Sequence, residues 1–273
     1  MDALKISFIG GGNMATALIG GLIGKCAQAQ DIHVVDPNAE ALHKLVQRFG
    51  VVTAEAIDAK VAQADVIVLA VKPQQMREAA AALAAFMNGQ LVVSIAAGIR
   101  AVDLSRWLNG HISIVRCMPN TPALIGKGIT GMAALSGVTA AQREMADTVL
   151  RAVGGTVWLD DESLIDPVTA VSGSGPAYVF YFIEAMQQAA QEMGLSAEQG
   201  TQLAIATFTG AAQLAAQSVE PVSVLRERVT SKGGTTYAAL TSMDGDGVKQ
   251  AIVRALHAAA ARGKELGEEF GQD

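Results

Sequence analysis

Short apolar runs alternating with helical stretches through the first 160 residues constrain this chain more than any other feature. The runs are Leu4–Ile9, Ile32–Val35, Val66–Val71, Leu91–Ile95 and Ile112–Val115, with Gly131–Leu135 and Thr156–Leu159 as weaker ones. Helices are predicted between the earlier runs at Asn13–Cys26, Ala39–Phe49, Gln74–Phe86 and Asp103–Leu108. Strands that are apolar throughout belong to a parallel sheet covered on both faces, so the spacing predicts a Rossmann-type, doubly wound α/β domain. Thr139-Ala140-Ala141-Gln142 reads as a capping box opening one more helix, stopped at Gly154-Gly155.

Beyond Asp160-Asp161-Glu162 the strand signal disappears. Helices are predicted at Ser163–Val171, Pro176–Met193, Ala197–Gln217, Pro221–Thr230, Thr235–Met243 and Gly247–Glu269, with a second capping box at Ser196-Ala197-Glu198-Gln199. The expected organisation is an α/β domain over 1–160 and an all-helical domain over 161–273.

The chain is 51% hydrophobic and 17% charged, so it can bury enough surface to offset its ordering entropy. Two cysteines, Cys26 and Cys117, exclude a disulfide scaffold. A net charge of −6 argues against a nucleic-acid partner, which needs a basic face. Three uncharged stretches, Ala79–Ile99, Pro167–Ile183 and Gln199–Val219, approach membrane-spanning length. The first is broken at Asn88-Gly89-Gln90, the second contains Ser172-Gly173-Ser174-Gly175-Pro176, and the third carries four glutamines. Met1-Asp2-Ala3-Leu4-Lys5 lacks a signal-peptide layout. The expectation is a cytoplasmic protein with no membrane partner.

The run ending at Ile9 leads directly into Gly10-Gly11-Gly12-Asn13-Met14-Ala15, which fits G-x-G-x-x-A. Gly10 would permit the tight turn, Gly12 the approach of a pyrophosphate, and Ala15 close helix–strand packing. The N–H groups of the following helix would face the phosphates. Asp36 ends the second run, about twenty residues beyond the glycines, where a carboxylate can accept from a ribose 2′-OH. No arginine adjoins it to pair with a 2′-phosphate, which on the residues alone favours NAD(H).

Further segments follow other strand ends, where open α/β sheets bind ligands. They are Ala70-Val71-Lys72-Pro73, Ala96-Ala97-Gly98 and the stiff loop Arg116-Cys117-Met118-Pro119-Asn120-Thr121-Pro122. The last could wall a nicotinamide ring or serve as a plain turn. Cys117 reads as a buried thiol. His33, His43, His111 and His257 have neither metal-ligand nor triad spacing, so no metal is expected.

In the helical half, Val229-Thr230-Ser231-Lys232-Gly233-Gly234-Thr235-Thr236 joins two helices. Glycines and hydroxyls at a helix start suit a carboxylate, and equally an ordinary cap made by Thr235. This segment resembles the signature of the pyrroline-5-carboxylate reductases, which spans Pro221 to Asp244 here. The resemblance extends through Phe8–Met14, Ala70–Pro73, Ser94–Gly98, Met118–Pro122 and Ser172–Tyr178, essentially the whole chain.

The resemblance implies NAD(P)H-dependent reduction of Δ1-pyrroline-5-carboxylate to L-proline. It also implies a helical domain that interlocks into a homodimer, with further assembly, as in a decamer of five dimers. Thr236 would bond the ring nitrogen or deliver a proton, and Ser231, Gly233, Gly234 and Thr235 would hold the substrate carboxylate. Glu162 and Arg228 would lie near the substrate. Ile9, Gly10, Gly11, Gly12, Asn13, Met14, Asp36, Ala70, Val71, Lys72, Pro73, Ala96, Ala97, Gly98, Met118, Pro119 and Asn120 would form the cofactor site. Asp36 stands where members using NADPH tend to have neutral or basic residues, and Glu55-Ala56-Ile57 lacks the asparagine many members carry. The cofactor expectation is therefore NADPH, NADH or both. Two rivals are a β-hydroxyacid dehydrogenase, whose catalytic lysine would fall near Val179, and a nucleotide-binding protein without catalysis.

Overall fold

The computed structural model describes residues 3–272; Met1, Asp2 and Asp273, and with them part of the stretch read for a leader, lie outside the described residues. The chain divides into two compact units, one running to Ser174 and resuming at His257, the other Gly175–Leu256. That division falls later than the 160/161 boundary expected from the loss of strand signal, and it cuts the last helix.

The first unit is built from β1 (Ile6–Ile9), α1 (Asn13–Leu22), β2 (Ile32–Val35), α2 (Ala39–Phe49), β3 (Val52–Ala54), β4 (Val66–Leu69), α3 (Met76–Leu83), β5 (Leu91–Ser94), α4 (Ala101–Trp107), β6 (Ile114–Met118), β7 (Gly128–Ala134), α5 (Ala140–Arg151), β8 (Gly154–Trp158) and α6 (Ile165–Val168). One eight-stranded sheet has the order β3-β2-β1-β4-β5-β6-β7-β8. β1, β2, β4 and β5 are buried at every position, as their largely apolar sequences require, with Ser7, His33 and Ser94 as buried polar exceptions. Because successive side chains point to opposite faces, Phe8 joins Leu18, Leu22 and Val34 in one core while Ile9 joins Val35, Leu69 and Met76 in the other.

Three features depart from the sequence expectation. The edge strand β3 is only three half-buried residues long, too short to leave a periodic signal. β6 extends through Met118, so Arg116 and Cys117 lie on a strand instead of in the loop, held by antiparallel pairing of Cys117 with Met132. The sheet is parallel except at β6–β7, because the connection 119–127 is too short for a crossover, which needs about a dozen residues or more.

The capping box at Thr139 is present with both of its bonds. After α6 the chain widens into a π-type turn at Thr169–Gly173, where Ser174 N–H donates to the Thr169 carbonyl at 2.8 Å. Such turns often mark functional segments.

The second unit comprises α7 (Gly175–Glu192), α8 (Ala197–Gln217), α9 (Val222–Arg228), α10 (Thr235–Gly245) and the first part of α11 (Val248–Phe270). α7 and α8 pack as a hairpin in which Gly200 meets Ala190 and Phe182 lies 6.4 Å from Phe208 by ring centroids. The capping box at Ser196 starts α8. Among the described residues no helix is long and apolar enough to cross a membrane.

Candidate active site

The carboxyl ends of β1, β2 and β4 open on one cavity of about 610 Å³. Ile9, Gly10, Gly12, Asp36, Ala70, Val71 and Lys72 line it, joined by Pro37, Asn38, Glu55, Ile57, Gln75 and Glu78. Gly10 has φ +104°, and a Cβ there would lie 2.7 Å from the Ala70 carbonyl. Its glycine is thus set by the approach of the β4 end as well as by the turn. Gly12 is the opposite case, with nothing within 4 Å of where a Cβ would stand. That open space above the start of α1 fits a dinucleotide's phosphates. No side chain caps α1, so the N–H groups beginning with Asn13 and Met14 keep their first-turn donor capacity.

Asp36 is fixed by backbone. Its Oδ2 accepts from Gly11 N–H and its Oδ1 from Asn38 N–H, each at 2.8 Å. Pro73 starts a short 3₁₀ turn directly after Lys72.

The remaining expected cofactor residues do not line this cavity. Ala96 and Ala97 follow β5, and Gly98 packs under α11, where a Cβ would meet Leu266 at 3.0 Å and Phe270 at 3.2 Å. Met118 ends β6 and lies against Gly173, whose Cβ would fall 2.6 Å from the methionine methyl. Asn120, after Pro119, is buried and works as a clip. Its Nδ2 donates to the Ser172 carbonyl at 3.1 Å, and its Oδ1 accepts from Ile129 N–H at 3.0 Å. The stiff 116–122 segment is therefore tied to the π-type turn and to β7. Burial pushes the Cys117 thiol far above its ordinary range, which makes it inert.

Beside this segment lies a charged cluster that the sequence reading did not identify. Arg116 is 3% exposed. Its Nη1 donates to Glu162 Oε1 at 3.0 Å and its Nη2 to Asp166 Oδ1 at 3.4 Å. Glu162 Oε1 also accepts from Ala101 N–H, the first residue of α4, at 2.7 Å. A second cavity of about 740 Å³ adjoins, lined by these three side chains with Arg100, His257 and Lys264. The available signal was one arginine in an otherwise apolar strand, since a buried charge needs partners. Among the described residues no group of three or more His, Cys, Asp or Glu side chains is arranged to hold a metal ion.

In the second unit, the loop expected to receive a carboxylate ends as an open helix start. Gly233 has φ +74°, and Gly234 N–H is spent on the Ser231 carbonyl at 3.0 Å. Gly234 is the N-cap of α10 with no side chain bonded to the helix end, so Thr235 is not a cap. Thr236 is half-buried in the first turn. Arg228 pairs bidentately with Glu220, at 2.5 and 2.6 Å.

A family model described as pyrroline-5-carboxylate reductase dimerisation matches residues 162–266. A second, described as NADP oxidoreductase, coenzyme F420-dependent, matches residues 5–98. The chain is 49% identical to a pyrroline-5-carboxylate reductase of Pseudomonas aeruginosa, covering 100% of both chains. It is similar to the solved pyrroline-5-carboxylate reductase of Coxiella burnetii, with a TM-score of 0.90 and 38% identity over 97% of this chain and 99% of that one. The pyrroline carboxylate reductase of Plasmodium falciparum, solved with NADP bound, has a TM-score of 0.86 and 27% identity over 98% and 99%.

Proposed function

This chain belongs to the pyrroline-5-carboxylate reductase family, and we propose that its residues divide the family's reaction between the β-sheet cavity and the start of α10. The reaction is the NAD(P)H-dependent reduction of Δ1-pyrroline-5-carboxylate to L-proline, the last step of proline biosynthesis. The observation that carries this assignment is 49% identity along the entire chain to a reductase of that name.

When bound, a reduced nicotinamide dinucleotide supplies a hydride to the C=N carbon. The chain's own residues bind and orient. Gly10, Gly11 and Gly12 with Asn13 and Met14 hold the pyrophosphate, and Asp36 holds a ribose. Ile9, Ala70, Val71, Lys72 and Pro73 flank the cofactor. Ala96, Ala97, Gly98, Met118, Pro119 and Asn120 shape the nicotinamide end. Backbone N–H groups around Ser231, Gly233 and Thr235 hold the substrate carboxylate, and Gly234, whose own N–H closes the turn onto the Ser231 carbonyl, shapes the site at the uncapped start of α10. The Thr236 hydroxyl bonds the ring nitrogen. That nitrogen can be protonated from solution, so catalysis rests mainly on positioning and electrostatics. Glu162 and Arg228 serve the substrate region by holding its walls, since each already has partners of its own.

The protein assembles with copies of itself. We infer a homodimer as the unit and a decamer of five dimers as the full assembly, working in the cytoplasm. Supporting self-association, Phe180, Tyr181, Leu203, Leu214 and Val222 are all more than half exposed. Expression in a proline auxotroph lacking this reductase should restore growth without proline; failure of a well-expressed protein to do so would count against the assignment.

A further inference from the structure

The cavity at the ends of β1, β2 and β4 is acidic where a dinucleotide's adenosine ribose would lie. We infer that this chain discriminates against a 2′-phosphate and takes NADH in preference to NADPH, an inference that rests on the dinucleotide reading of the cavity.

The first ground is the state of Asp36. Its two oxygens are held by Gly11 and Asn38 N–H groups at 2.8 Å each, so it cannot swing away from an incoming anion without giving up both bonds. A carboxylate has acceptor capacity for about four hydrogen bonds, which leaves room for ribose hydroxyls. A phosphate in place of the 2′-OH has no comparable donor to offer and brings a like charge.

The second ground is that two of the backbone donors nearest Asp36, the Asn38 and Ala41 N–H groups, are already committed. Pro37 has no N–H, and Asn38 N–H is taken by Asp36. The helix that starts at this point, α2, is capped by Asn38, whose Oδ1 accepts from Ala41 N–H at 3.1 Å. Its first turn carries Glu40, which adds negative charge at the end that would otherwise attract a phosphate.

The third ground is the wall opposite. Glu55, just past β3, and Glu78, on α3, line the same cavity, and Lys72 is the one cation among its described lining residues. Three carboxylates against one ammonium favour the less charged dinucleotide.

Equilibrium titration of the intact protein with NADH and with NADPH, followed calorimetrically, tests this without turnover. NADH should bind at least about tenfold more tightly, a gap that narrows as added salt screens the charges. Asp36→Ser should shrink the ratio. The double variant Glu55→Gln/Glu78→Gln, which alters only exposed side chains, should also shrink it and leave folding intact. Equal or tighter binding of NADPH by the unaltered protein would overturn the preference while leaving the dinucleotide reading in place. Binding of neither nucleotide would overturn both. A ratio unmoved by both variants would overturn the assignment of discrimination to these carboxylates.

Discussion

The buried Arg116 pairs at 3.0 Å with the part-exposed Glu162, and through this contact one carboxylate oxygen joins strand β6 to the start of α4. Asp166, on α6, takes the other end of the guanidinium. Three segments leading to the β6–β7 loop, to α4 and to the π-type turn are thereby locked together. Losing the guanidinium leaves two carboxylates that are 28% and 20% exposed and can be hydrated, so the cost falls below the about 3–5 kcal/mol of breaking a fully buried pair. Arg116→Met should lower stability by about 1–3 kcal/mol in denaturant unfolding. Glu162→Gln should keep an acceptor for Ala101 N–H, lose the ion pair, and lower stability by a smaller amount. If Glu162 instead serves only as a substrate ligand, its substitution will raise the KM for the imine and leave the unfolding midpoint unchanged.

Thr236 sits in the first turn of α10 with its neighbours' N–H groups uncapped. Thr236→Ala should cut kcat by roughly ten- to a hundredfold and leave dinucleotide affinity nearly unchanged. Thr236→Ser should restore much of the loss. Equal losses in turnover and in dinucleotide affinity would refute the role.

Gly10 is confined by φ +104° and by the Ala70 carbonyl 2.7 Å from any Cβ. Gly10→Ala should therefore destabilise the protein by about 1–3 kcal/mol and weaken dinucleotide binding together, because the strain falls on the loop itself. Gly12→Ala, which meets nothing in the protein, should leave stability within about 0.5 kcal/mol and weaken binding alone. Calorimetric unfolding set beside dinucleotide titration separates the two.

His33 supplies a pH dependence of stability. It is 6% exposed on β2, with Ser7 Oγ 3.3 Å from Nδ1 and Asp58 Oδ1 3.7 Å from Nε2. Burial lowers its pKa more than Asp58 raises it, and Lys60 lowers it further. The unfolded chain therefore binds the proton more readily than the folded one. The His33 contribution is fully present above the unfolded pKa of about 6.5 and is lost as pH falls from there toward the folded pKa, by up to about 1.4 kcal/mol per pH unit. His33→Gln should remove that slope from a plot of unfolding free energy against pH; a slope that survives the substitution would assign it to other groups.

The legible parts of the fold were those written in local pattern. The buried strands announce themselves because both faces are covered, and the capping boxes at Thr139 and Ser196 because each is complete within four residues. The glycine loop was equally readable, since a helix opening straight out of a strand needs those residues. What stayed hidden depends on distant pairing. β3 owes its existence to β2, and the extension of β6 over Arg116 and Cys117 depends on β7. The Arg116 cluster joins residues far apart in the chain, with only a misplaced charge to suggest it. The second half of α11 belongs to the first unit and packs over Gly98 through Leu266 and Phe270, which no helical periodicity could reveal.

The most direct test is the reaction itself. Purified protein given Δ1-pyrroline-5-carboxylate and either NADH or NADPH should oxidise the nucleotide with matching formation of L-proline, and should do neither when the imine is withheld. Folded protein that binds dinucleotide yet forms no proline with either nucleotide would contradict the account.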